Sequence, residues 1–386
     1  MLPLEGITVV ALEHAIAAPF ATRQLADLGA RVIKIERPGV GDFARGYDTR
    51  ARGLSSHFVW VNRAKQSLTL DLKHPQAAPV LAALVARADV VVQNLAPGAA
   101  ERLGLGWPAL SANRPSLILC DISGYGGDGP FRDKKAYDLL IQSEAGFLSI
   151  TGTPDEPCKA GIAIADIAAG MYAYSNILAA LIERGRTGRG RHIDVAMLES
   201  LAEWMGHPLY YTQDGAAAPP RSAAAHATIY PYGPFATGDG GSVMLGLQNE
   251  REWLSFCRVV LQRPALAEDA RFAGAAARSA ARGELRGIIE DQLRTMTAEQ
   301  VIERLDAAQI ANAQVRTMAG LWDHPQLRAR ERWREVGSSA GPLPALLPPG
   351  RDDARLDPVP ALGEHSDAIL AELGFDAAAL RAAGAV

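Results

Sequence analysis

Cysteine is scarce: the 386 residues hold three, Cys120, Cys158 and Cys257, far apart in the chain. That spacing forms neither a disulfide framework nor a CxxC metal site, and it suits a reducing compartment. A surplus of one charge is also missing. The 39 Lys and Arg against 43 Asp and Glu leave a formal charge of −4, so the bulk electrostatics argues for no nucleic-acid or anionic-membrane surface. Met1–Gly6 has no basic character, and Glu13, His14 and Arg23 interrupt the apolar stretch that follows, so no signal peptide is expected. Arg87 and Asp89 break the run around Val80–Val92. No membrane-spanning stretch of about 20 apolar residues is therefore expected, and the protein reads as cytoplasmic. Among motifs, a GKS/GKT P-loop, an HExxH pair and a GxSxG elbow are all absent, which counts against phosphoryl transfer, zinc hydrolysis and the α/β-hydrolase triad. The eight histidines show no metal-ligand spacing; no metal site is expected.

What is present is an ordinary globular composition, 48% hydrophobic and 21% charged, in a chain long enough for two domains. Ile7–Leu12, Arg31–Glu36, Ser67–Leu72, Val90–Gln93, Leu117–Ile122 and His192–Ala196 read as short strands. Helical patterns separate them, at Pro19–Leu28, Pro75–Arg87, Ala99–Leu103 and Ile167–Arg184. Such alternation predicts an α/β fold, a doubly wound, mostly parallel, Rossmann-like sheet. The large domain is placed at 1–213, and 214–229, with its alanines and Pro219-Pro220, reads as a linker. A smaller α+β domain is expected over 230–318, with a hairpin at Phe235–Leu247 and a helix capped by Thr297 and Gln300. The remainder, 319–386, holds an Arg-rich helix at Gln326–Arg334, a Pro-rich stretch at Pro342–Pro349 and a helix near Asp367–Leu373.

Gly124, Gly126 and Gly129 spell GxGxxG after a strand, but Pro130 and a charged stretch follow where the fingerprint needs a helix. A Gly-rich loop near a site is preferred over a nicotinamide site. A Rossmann NAD(P) oxidoreductase stays an alternative because Glu36 lies where such enzymes hold the ribose. Asp166 directly precedes the long apolar helix. A plain N-cap accounts for it, but the same position, with a helix N-terminus keeping the carboxylate ionised, suits an attacking carboxylate. Arg37, Lys73, Arg102 and Lys135 stand at the edges of predicted elements; each alone reads as a solvated charge, and together they could clamp phosphates. His14 and His226 fall in predicted loops and read as structural or surface residues.

Several segments taken together resemble the family III CoA-transferases, the group that includes formyl-CoA:oxalate transferase and, more distantly, α-methylacyl-CoA racemase. They are Gly29-Ala-Arg-Val-Ile-Lys-Ile-Glu-Arg-Pro-Gly39, Asn94-Leu-Ala-Pro-Gly98 with Arg102-Leu-Gly104, Ser123-Gly-Tyr-Gly-Gly-Asp-Gly-Pro130, Lys135-Ala-Tyr-Asp138, Ala165-Asp166 and Leu362-Gly-Glu-His365. The resemblance spans nearly the whole chain. It implies that 319–386 returns to complete the large domain, a homodimer of interlocked rings, no tightly bound cofactor, and a CoA thioester and a free carboxylic acid as substrates. By the family pattern the CoA contacts are Ile16, Ala17, Arg37, Leu70, Asp71, Leu72, Lys73, Asn94, Leu95, Ala96, Arg102, Lys134, Lys135, Ala136 and Tyr137. The catalytic aspartate falls on Asp166, acting through aspartyl anhydride and aspartyl-CoA thioester intermediates.

Two departures from the pattern narrow the expectation. Racemases carry a His-Asp pair where this chain has Tyr137-Asp138, which favours transfer over racemisation, 2-methylacyl-CoA racemase being the other enzyme class considered. Where formyl-CoA transferase has a glycine-rich loop, this chain reads Ser222-Ala-Ala-Ala-His226-Ala-Thr228, which speaks against oxalate. That segment and Tyr230-Pro-Tyr-Gly-Pro-Phe235 look more like the dicarboxylate-using members. Succinyl-CoA is the expected donor and itaconate, or a similar C4–C5 diacid, the expected acceptor. Arg45, Arg50, Arg52 and His226 are the candidates for its distal carboxylate.

Overall fold

A computed structural model describes residues 1–386, which form two compact units: 1–146, 160–206 and 326–386 in the first, and 147–159 with 207–325 in the second. In the first unit the β-branched apolar runs become Thr8–Leu12 (β1), Arg31–Glu36 (β2), Lys65–Thr69 (β3), Val90–Gln93 (β4), Ile118–Ser123 (β5) and His192–Ala196 (β6). All six are parallel, in the order β3-β2-β1-β4-β5-β6. The predicted doubly wound sheet is there, and its order reverses between β1 and β4. Strand β3 starts earlier than its apolar residues suggest, because Lys65 is drawn inside by a fully buried pair with Glu13, Nζ–Oε1 2.7 Å.

Both faces of the sheet are covered, as a parallel sheet requires. One face packs Val10, Leu12, Ile33, Ile35, Val91 and Leu119 against Val80, Leu81 and Leu84 of the helix Ala77–Arg87 and Ile369 and Leu370 of the helix Ser366–Leu373. The C-terminal segment also closes the outer edge of β3. His365 N–H donates to Ser67 O (3.0 Å), Ser67 N–H to His365 Nδ1 (3.3 Å) and Thr69 N–H to Ser366 Oγ (3.0 Å). An unpaired sheet edge is a pairing hazard, so the Leu362–His365 motif has a structural task.

The second unit holds an antiparallel sheet of Tyr232–Ala236 (β7), Ser242–Gly246 (β8) and Ala311–Gln314 (β9). The first two are the expected hairpin. The third carries too little apolar alternation to be read from sequence. Phe235, Trp253, Phe256, Phe272, Leu285 and Ile289 fill its core, and Thr297 with Gln300 forms the expected capping box.

The segment placed as a linker is instead tied to this unit. His226 N–H donates to Tyr232 O at 2.9 Å, its ring stacks on Tyr232, and Arg282 bonds the carbonyls of His226 and Ala227. Residues 147–159 join it too, because Ala223 N–H donates to Gly152 O (2.7 Å) and Arg221 Nε to Thr153 O (2.8 Å). Pairings so distant in sequence leave no trace in local composition.

The long helix runs Ile164–Thr187, 24 residues, and is long and apolar enough to cross a membrane. That corrects the expectation that no such stretch exists: Ala and Gly extend its apolar content beyond the bulky residues. One face is buried through Ala165, Ala168, Ala169, Ala173, Ile177 and Ala180. Here it meets the helix Ala17–Asp27 at Gly170, where a Cβ would sit 2.7 Å from Ala17 O and 3.0 Å from Phe20 Cδ1. Gly170→Ala should force the two helices apart, with a loss of about 1–3 kcal/mol in chemical denaturation.

Candidate active site

A buried ionic network shapes the floor of the site. Glu13 directly follows the central strand, with Oε1 2.7 Å from Lys65 Nζ and 3.3 Å from Lys34 Nζ, and Oε2 accepting from Thr22 Oγ1 at 2.7 Å. Burial alone would raise its pKa, but the two lysines outweigh it and hold it below the usual value. Lys34 also pairs with Asp42 Oδ2 at 2.8 Å. Glu36 accepts from Arg45 Nε and Nη2, each at 2.8 Å, and from Ser67 Oγ at 2.6 Å. Burial pushes Glu36 up, yet these donors and Lys34 bring it down to about 2. A glutamate so engaged holds no ribose. After β5, moreover, turns lead to a helix that starts only at Asp138. The NAD(P) reading loses both of its supports.

Beyond the carboxyl ends of the strands, where the order reverses, lies a cavity of about 770 Å³. Open parallel sheets bind ligands at such switch points. The β1 turn contributes His14, Ala15, Ile16 and Ala17; the loop after β2 contributes Arg37, Val40, Gly41, Phe43 and Tyr47. Asn94–Pro97 follow β4. Gly124, Arg132 and Lys134–Asp138 come from the Gly-rich loop region after β5, and Ala163 and Asp166 from the long helix.

Of the residues singled out from sequence, the cavity thus gathers Ile16, Ala17, Arg37, Asn94, Leu95, Ala96, Lys134, Lys135, Ala136, Tyr137 and Asp166. It leaves out Leu70–Lys73: Leu70 is in the core, and Asp71 N–H is bonded to Ala385 O. Arg102 is exposed on the helix Ala99–Arg102 and does not line the cavity.

The distal-carboxylate candidates fare worse. Arg45 is committed to Glu36 and Pro360 O and lies over the Phe58 ring; a pair that good leaves no free guanidinium. Arg50 and Arg52 are exposed and outside the cavity. His226 belongs to the second unit, with Nδ1 accepting the amides of Thr228 and Ile229.

Sequence reading missed an aromatic wall. His14 stacks on Phe43 with centroids 5.3 Å apart, and Phe43 meets Tyr47 at 5.8 Å. Apolar residues in a loop gave no periodic signal for it. Burial lowers the pKa of His14, so this wall is uncharged at neutral pH.

Asp166 lies inside the first helical turn, because the helix starts at Ile164. It is not the cap. That role falls to Asp138, whose Oδ1 accepts the amides of Ala165 (2.8 Å) and Asp166 (3.3 Å), while its Oδ2 accepts from Gln142 Nε2 (2.7 Å). Asp138 stood in the sequence motif without an assigned role. With these helical amides already taken, the carboxylate of Asp166 has no hydrogen-bond partner in the protein. Burial, then the like charge of Asp138, push its pKa up to about 7. This overturns the expectation that the helix N-terminus keeps it ionised. It stands half-buried in the cavity wall, and no cation tempers its charge. A poorly solvated, unpaired carboxylate of this kind is a strong nucleophile once deprotonated.

Residues 4–366 match the family model described as CoA-transferase family III. The succinate–glutarate CoA-transferase of Agrobacterium fabrum is 34% identical over 389 residues, 96% of each chain. The succinyl-CoA:mesaconate CoA-transferase of Haloarcula hispanica is 34% identical over 344 residues, covering 86% of this chain and 85% of that one. In three dimensions the chain is similar to a CAIB/BAIF family protein from Brucella suis, with a TM-score of 0.85 and 35% identity over 96% of this chain and 99% of that one. The chain belongs to CoA-transferase family III. It is an enzyme whose substrates are CoA thioesters, with no tightly bound cofactor.

Two titrations test the electrostatics of the site. In NMR of labelled aspartate, the Asp166 carboxyl should titrate near 7, and in Asp138→Asn, which keeps a capping oxygen but removes the charge, its pKa should fall.

Proposed function

We propose that the protein moves CoA from succinyl-CoA to a free C4–C5 dicarboxylate, with Asp166 as the nucleophile. The observation that carries the reading is the position of Asp166: a carboxylate without a partner, facing a cavity at the switch point of a parallel sheet. Asp166 attacks the thioester carbonyl and expels CoA as thiolate, giving a mixed anhydride. The thiolate attacks the aspartyl carbonyl, releasing succinate and leaving CoA as an aspartyl thioester. The acceptor carboxylate attacks that thioester, and the returning thiolate takes the acceptor acyl group and frees Asp166. Each step joins species of similar reactivity.

Arg37 and Lys135 line the cavity without protein partners, which suits the phosphates of CoA. With Arg45 held by Glu36, the cations that face the cavity and suit the distal carboxylate are these two and Arg132. Glutarate and mesaconate, the acids in the relatives' names, are the leading acceptors beside itaconate. Tyr137, standing where racemases carry a histidine, leaves α-proton exchange one acid/base group short. Met171, Ile182 and Trp204 are exposed in a single chain, in keeping with a homodimer of interlocked subunits. Three unpaired thiols accord with a cytoplasmic enzyme.

Incubation with succinyl-CoA and a panel of free acids, read by mass spectrometry, should give new CoA esters of glutarate, mesaconate or itaconate. α-Deuterium exchange in a 2-methylacyl-CoA with no transfer would sink the reading. Asp166→Ala should lose at least about 10³-fold in kcat while retaining CoA-ester binding. Because the attacking form is the carboxylate, kcat should fall as pH drops through about 7.

A further inference from the structure

The turn between β1 and the helix Ala17–Asp27 brings Ile16 and Ala17 into the cavity, and its shape is not one that alanine favours. Ala15 stands at φ +60°, in the left-handed region that residues with a Cβ avoid. Two buried side chains, Lys34 and Asp42, and the half-buried Asn94 hold the backbone there, one residue each. Lys34 Nζ donates to Glu13 O at 3.3 Å. Asn94 takes both groups of His14, its Oδ1 accepting His14 N–H and its Nδ2 donating to His14 O, each at 2.9 Å. Asp42 Oδ1 accepts Ala15 N–H at 3.1 Å.

Asp42 is fully buried and does not line the cavity. Its second oxygen is fixed by Lys34 at 2.8 Å, and its own N–H donates to Glu36 Oε1 at 3.0 Å. The oxygen that holds Ala15 also accepts Ala44 N–H at 2.9 Å, which caps the short 3₁₀ turn Phe43–Gly46. One carboxylate therefore ties together two walls of the cavity, the Ala15 turn and the aromatic Phe43–Tyr47 loop. The amides of Ile16 and Ala17, both residues nearly inaccessible, have no partner within the protein. Buried amides are seldom left unpaired. Ala17 O in turn touches Gly170 of the helix that carries Asp166, so the turn and the nucleophile share one packed framework.

We propose that Asp42 is a positioning residue for the transfer reaction: it holds the Ala15 turn so that the Ile16 and Ala17 amides meet the acyl oxygen as it gains charge during attack by Asp166. This rests on the reading of Asp166 as nucleophile. It assigns to Asp42 an effect on the chemical step and not on CoA binding.

The experiment compares wild type, Asp42→Asn and the charge-balanced double variant Lys34→Met/Asp42→Asn. Asn in place of Asp sets an amide N–H against the Lys34 ammonium; removing that ammonium in the double variant lets the amide oxygen return to Ala15. Active sites are counted by the CoA adduct trapped on Asp166, and rates are expressed per active site. Asp42→Asn should lose about 10²-fold in kcat, the scale of a misplaced oxyanion donor, with KM for succinyl-CoA within about three-fold of wild type. The double variant should recover a measurable part of that loss. A merely structural Asp42 would lower the melting temperature and the number of active sites, leaving kcat per site unchanged. That outcome, in either variant, overturns the proposal. If Asp42→Asn does not fold, the double variant decides alone, through kcat per site below wild type at unchanged KM. A wild-type protein that transfers no CoA would overturn the parent reading and this one with it, a different result from normal wild-type turnover beside an unaltered Asp42→Asn.

Discussion

Glu13 directly follows the central strand with its carboxylate out of water, shared between Lys34 and Lys65 and steadied by Thr22. Each of these ions would be costly to bury alone, and removing one member of a buried set costs about 3–5 kcal/mol. Together they bind β1, β2 and β3 to the first helix, and through Asp42 and Glu36 they reach the loops that wall the cavity. The sheet could be stable with apolar residues in those places. What the ions add is direction: hydrogen bonds fix where a backbone turns, whereas methyl contacts mainly fix how closely it packs. The site depends on that direction, since the turn through His14 and Ala15 that lines the cavity is held by hydrogen bonds to its main chain.

The surroundings of Asp166 follow the opposite rule. Around Asp166 the protein withholds partners, giving the helical amides to Asp138 and keeping cations away. The same residue type is thus given three partners at Asp42 and none at Asp166.

Much of the first unit was legible in the sequence, because parallel strands buried on both faces appear as unbroken Val and Ile runs. The family motifs also brought most of the cavity together. Three things were hidden. Glu36 looked like a ribose ligand and Lys65 carried no assignment, since a sequence does not show which charges find each other inside. Asp166 looked like a cap because the helix start was misplaced by a few residues, and Ala163–Ala165 has no capping side chain to announce it. The segment around His226 looked like a linker because its partners, Tyr232 and Arg282, are backbone and side-chain contacts made only after folding.

The closure of β3 by the C-terminal segment has a consequence for the newborn chain. Ser366 pairs with Thr69 across 297 residues of sequence. At about 5–20 residues per second on the ribosome, that is roughly 15–60 s during which the sheet's outer strand is made but its cover is not. An open edge of this kind invites strand addition from neighbouring nascent chains. The polar residues on β3, Lys65, Gln66 and Ser67, are poor templates for such pairing, and so two residues that later join the buried ionic network, Lys65 and Ser67, also guard the chain while it waits for the helix Ser366–Leu373.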